Sequence, residues 1–132
     1  MKPIMEFKNN EQLKQVADEW IKVLRLTNWI ITVELNDGDD MEEGDAGDIL
    51  IKTHKKIGQI RISTKIIKDK ALKICKEKTL VHELLHCYIN TYEKEENIEY
   101  KSYCDNEHAT LDIIARALII EKYNLPYNWF EI

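Results

Sequence analysis

The sequence predicts an α+β fold: an N-terminal helix, a small three-stranded and mainly antiparallel sheet, a second helix bearing His-Glu-x-x-His, and a C-terminal helix with a further histidine. Three observations lead there. Apolar residues recur at three- and four-residue spacing near both ends of the chain, three short β-branched runs lie between residues 29 and 63, and the motif at residues 82 to 86 sits in a stretch without proline or glycine. A chain of 132 residues is read as one domain spanning residues 1–132.

In the first element, Asn9 or Asn10 caps a helix from Glu11 to Leu26, whose stripe is Leu13, Val16, Ala17, Trp20, Val23 and Leu24. Glu11 in its first turn and Lys22 and Arg25 in its later turns suit the helix dipole. Trp29 to Leu35 reads as a strand ended by the turn signal Asn36-Asp37-Gly38. After an acidic loop, Asp48 to Thr53 and Gly58 to Ser63 read as two strands joined as a hairpin through Lys55 and Lys56. Helical patterning then covers Leu72 to Thr91, a polar loop runs from Glu93 to Tyr103, and Asp105 caps a last helix to Tyr123, stopped before Pro126.

With 44% apolar and 33% charged residues the composition is that of a folded globular protein. A net charge of −5 argues against nucleic-acid binding through overall electrostatics, although the lysine-rich stretch from Lys52 to Lys78 leaves a local patch open. No run approaches membrane-spanning length and the N-terminus lacks a signal-peptide pattern, so a cytoplasmic location is expected. Cys75, Cys87 and Cys104 have no CxxC spacing and are expected to be reduced thiols. The acidic run from Asp37 to Asp48 offers no frame with the ligand offsets of an EF-hand.

His82-Glu83-Leu84-Leu85-His86 places two imidazoles one helical turn apart on the same side of a helix, able to reach one ion. Neutral imidazole is a zinc ligand, and Glu83, one residue beyond the first, is placed to take a proton from water as general base. A catalytic zinc needs a third protein ligand and an open position. His108 is the favoured candidate: at a helix N-terminus a cation is disfavoured, which holds the imidazole in its neutral, ligating form. Glu107 is the alternative and Cys104 a weaker one. Asp112, four residues after His108 on an otherwise apolar segment, is explained if it accepts the free N–H of a metal-bound histidine; the competing explanation is an i,i+4 pair with Arg116. Tyr100 and Tyr103 are candidate oxyanion donors.

On these residues the chain resembles the zincin metallopeptidases, and more narrowly the small SprT-like, ImmA-like and minigluzincin proteins, many of them encoded by phages and mobile elements. The resemblance covers nearly the whole chain. It implies a zinc-dependent peptidase using one zinc ion, with Asp112 matching the outer Asp of the gluzincin pattern and histidine replacing glutamate as third ligand, as in SprT-like proteins. It also implies that an edge strand beside the motif helix binds extended peptide by strand addition, a role that falls to Gly58–Ser63. Two other readings are a non-catalytic zinc-containing regulatory or binding module and a DNA-associated SprT-like protease. Cys87 to Tyr92 lacks the metzincin extension, so an astacin-like relationship is not expected.

Overall fold

The computed structural model describes residues 1–42, 44–90 and 98–132, with side chains from residue 105 onward in the last segment. Helix α1 (Asn10–Val23) begins where Asn9 accepts a hydrogen bond from the Gln12 N–H at 2.8 Å. It stops short of Leu26 because Arg25 takes a left-handed φ of 61° and the Leu26 N–H reaches back to the Ile21 carbonyl, the Schellman arrangement that closes a helix. Leu26 is thereby turned into the core.

Three strands follow: β1 (Ile30–Asn36), β2 (Gly47–Lys52) and β3 (Ile57–Ser63). The expected hairpin between β2 and β3 forms through a 3₁₀ turn at Thr53–Lys55 and a left-handed Lys56. The sheet order is β1-β3-β2, however, and β1 runs parallel to β3, so the sheet is mixed rather than mainly antiparallel. One expectation is corrected by this order. Gly58–Ser63 lies in the central strand, its backbone groups shared with both neighbours, and offers no edge for strand addition; the edge beside the motif helix belongs to β2.

Inward side chains Val33, Ile49, Ile51, Ile60 and Ile62 alternate with outward Glu34, Asp48 and Arg61, as period-two patterning requires. On the inner face α1 packs on β1, while α2 (Lys76–Leu85) covers β2 and β3. Helix α3 (Ile98–Tyr123) packs on α2. It ends in a second Schellman closure with Asn124 at φ 52°.

Both later helices depart from the expected bounds. Leu72 to Cys75 is not helical, because Asp69 ties the Ala71 and Leu72 N–H groups and the segment then pairs with residues 130–132 through Lys73 N–H to Phe130 O and Ile132 N–H to Ala71 O. Helix α3 begins at Ile98, inside the stretch expected to be loop, where no proline or glycine opposes helix formation. Among the described residues, no helix is long and apolar enough to cross a membrane.

The first turn of α2 carries two ionisable side chains with no solvent exposure at all, and each is satisfied. Lys76 Nζ donates to the Ser63 and Lys65 carbonyls and pairs with Glu6. Glu77 accepts from the Ile4 N–H, Trp20 Nε1, Lys122 Nζ and the Tyr123 hydroxyl, at 2.6 to 3.1 Å. One carboxylate therefore ties the N-terminal segment, α1 and α3 to the base of α2. Glu77→Ala, which strands these donors, is expected to cost about 3–5 kcal/mol in urea unfolding; a loss under about 1 kcal/mol would show that the network is not structural.

Candidate metal centre

The motif occupies the last turn of α2. Leu80, Val81, Leu84 and Leu85 fill the core on one side, which turns His82 and Glu83 toward the cleft along β2 and His86 toward α3. Helix α3 brings His108 opposite them. One ring nitrogen from each of His82, His86 and His108 lies within 4.8 Å of the others, so the three imidazoles form a group that can hold a metal ion. The separation of His82 Nε2 and His108 Nδ1 is 3.3 Å. Two nitrogens bound tetrahedrally to one zinc at 2.0–2.1 Å lie roughly 3.3–3.4 Å apart, so this pair already has the spacing of a shared ion.

The far sides of the rings explain their orientation. His82 Nδ1 lies 3.2 Å from Asp112 Oδ1 and His86 Nδ1 lies 3.2 Å from the Ile89 carbonyl. Each oxygen accepts a hydrogen bond from Nδ1–H, which leaves a lone pair on Nε2. Asp112 Oδ1 also receives Lys78 Nζ at 2.6 Å, while Oδ2 is 3.7 Å from Arg116 Nε. The histidine partner and the arginine partner expected as alternatives are thus both present, with Lys78 as a third. Burial raises the Asp112 pKa, but His82 and Lys78 outweigh it and hold the carboxyl below the usual carboxylate range.

Glu107, the alternative third ligand, is buried behind His86, with Oε1 3.5 Å from Nδ1 on the side opposite Nε2. It is placed to orient His86, and His108 is the residue that joins the cluster. Burial, and then the neighbouring His82, lowers the His86 pKa from 6.5 to about 4 and also lowers that of His108. Both rings are therefore neutral, the form that binds metal. The side chains of Tyr100, Tyr103 and Cys104 lie outside the described residues, and His54 is exposed on the 3₁₀ turn. Cys75 and Cys87 are buried free thiols, pushed up by burial to about 11 and about 12, and so remain protonated.

The cluster opens on a cleft of about 810 Å³ whose other wall is the β2 edge, Gly47 to Ile51. Glu83 lines it while only 5% exposed, and among the described residues no hydrogen-bond donor reaches its carboxylate; His86 Nε2 is 3.9 Å away. Burial, reinforced by Asp48 and Asp45, pushes its pKa up to about 8. Sequence reading did not identify Lys78, nor Gly47. A Cβ on Gly47 would sit 2.8 Å from Thr79 Cγ2 and 2.9 Å from the Arg61 carbonyl oxygen, so glycine is what lets the β2 edge come this close to the motif helix.

These shifts set the acid behaviour of the metal-free protein. Between pH 6.5 and 4 an unfolded chain binds a proton at His86 that the folded one refuses, so stability falls as pH drops, by on the order of 3 kcal/mol over the window. Glu83 acts oppositely from pH 8 down to 4.5, because the folded state takes up its proton first. Metal-free Glu83→Gln should therefore lose stability more steeply than the parent between pH 6.5 and 4.5 in denaturant titrations. Parallel profiles would contradict the buried, desolvated Glu83 seen here.

Comparison of the chain with protein-family models, with curated proteins and with solved structures found no match.

Proposed function

We propose that this protein is a zinc-dependent metallopeptidase of the small zincin type, with His82, His86 and His108 holding one ion and Glu83 as general base. The observation that carries the reading is the convergence of three imidazoles, two of which, His82 and His108, line an open cleft beside the buried carboxylate of Glu83 while His86 is buried behind them. A group of three ligands beside a cleft is the pattern of a catalytic zinc, which keeps a position for water, whereas structural zinc is closed by four protein ligands. This favours an enzyme over a zinc-organised binding module. The many carboxylates of the cleft speak against a nucleic-acid ligand at this site.

Zinc bound there supplies Lewis-acid polarisation of a carbonyl and an acidified water. The chain's own residues do the rest. Asp112 and the Ile89 carbonyl fix the tautomers of His82 and His86, Lys78 keeps Asp112 an acceptor, and Glu83 receives the proton of the attacking water and delivers it to the departing amine. In the metal-free chain burial raises the Glu83 pKa, and a divalent ion on the three imidazoles would oppose that shift and favour the carboxylate that acts as base. Gly47 to Ile51 provides an edge along which an extended peptide can align, in place of the inner strand Gly58–Ser63.

Glu83→Gln is expected to keep one zinc per chain and to lose hydrolysis of a denatured protein substrate by roughly 10²-fold or more. His108→Ala should weaken zinc binding by more than the roughly 10- to 100-fold that loss of an outer partner costs, and Glu107→Ala by no more than that. Undiminished cleavage by Glu83→Gln, or the reverse ranking of the two α3 variants, would overturn the assignment.

A further inference from the structure

The charge balance of the cleft names a class of substrate. Among the described residues seven carboxylates line it, against one lysine and no arginine. Several are already spent. Asp40 and Asp48 share Arg61, whose guanidinium reaches both, and Asp112 is taken by Lys78 and His82. A divalent ion on the three imidazoles would offset Glu83 and the one charge that Arg61 leaves over. Glu42, Asp45 and Asp105 then remain, exposed at the cleft wall and with no ion pair among the described residues. Glu42 and Asp45 come from the loop before β2 and Asp105 from α3, so they face the cleft from both of its sides.

This surplus is not a solvated acidic run alone. It surrounds the three-imidazole group and Glu83, a carboxylate more than nine-tenths buried that faces the same cleft and accepts no hydrogen bond from any described residue. Beside these charges the β2 wall carries the exposed Leu50, an apolar side chain against which the methylene stem of a long side chain can lie. A low-dielectric wall with fixed charges of one sign concentrates counter-charged ligands. Arginine and lysine combine such a stem with a cationic head.

We propose that the cleft selects peptide segments carrying lysine or arginine close to the bond presented to the metal centre, with Glu42, Asp45 and Asp105 as the specificity-determining groups. This rests on the peptidase reading, deepens it, and can be tested without turnover.

Two fluorescent ten-residue peptides, one alternating lysine with alanine and the other glutamate with alanine, are titrated into zinc-loaded Glu83→Gln protein. The lysine peptide is expected to bind about tenfold or more tightly than the glutamate peptide at low salt. The preference should shrink several-fold when Glu42→Gln, Asp45→Asn and Asp105→Asn are added. It should survive Glu11→Gln, Asp18→Asn and Glu121→Gln, which remove the same formal charge from exposed positions outside the cleft lining. Equal binding, no binding of either peptide, or a preference reduced equally by both sets of substitutions would overturn the proposal. Cleavage by the parent reports separately on the reading beneath it: a lysine peptide held in the cleft but never cut would remove the peptidase and leave the binding preference standing.

Discussion

The contact on which the site depends is the one between Asp112 on α3 and His82 on α2, with Lys78 donating to the same oxygen. It crosses the α2–α3 interface at the height of the motif and fixes three things together. It sets the register of α3 against α2, the tautomer of His82, and the position of His108, one turn before Asp112. A carboxylate between two helices is costly unless both oxygens find donors. Here Lys78 and His82 both donate to Oδ1, and Arg116 lies 3.7 Å from Oδ2, so the contact both holds the helices and aims the imidazole. Glu107, the residue before His108, lies behind His86, with Oε1 3.5 Å from its Nδ1.

The polar groups along α2 divide into two kinds. At its start Lys76 and Glu77 are buried and saturated: their partners come from the N-terminal segment, α1, α3 and the end of β3, and they act as a clamp. Further along, Glu83 is almost as deeply buried yet receives no hydrogen bond among the described residues. A folded chain tolerates such a group where chemistry or a ligand compensates it. The clamp at one end of the helix holds Glu83 at the cleft near the other, because α2 cannot shift there without breaking four contacts to Glu77. The close approach at Gly47 holds the same helix against the sheet.

The parts of this arrangement that were legible in the sequence are those encoded locally. His82 and His86 are four residues apart, and a helix places such residues on one face whatever surrounds it. His108 and Asp112 repeat that spacing, and a charge amid Leu111, Ile113 and Ile114 required a partner. The strands were visible as β-branched runs, each within one residue of its observed start. Their order was not, since patterning states which face of a strand is buried and says nothing about its neighbours; β3 is inserted between β1 and β2, and the sheet edge beside the motif helix is that of β2 rather than β3. The Glu77 clamp was equally invisible, because its partners lie at residues 4, 20, 122 and 123. The non-helical start before α2 depends on pairing with residues 130–132, a contact about sixty residues away in the chain.

Three imidazoles placed to share one ion that keeps a position for solvent form the core of the proposed function. X-ray absorption at the zinc edge of the loaded protein tests this most directly. The spectrum should show three imidazole nitrogens at roughly 2.0–2.1 Å and one further oxygen scatterer. Two imidazoles only, or sulfur in the first shell from Cys87 or Cys104, would contradict the assignment of His108 and with it the proposed role of Glu83 as general base.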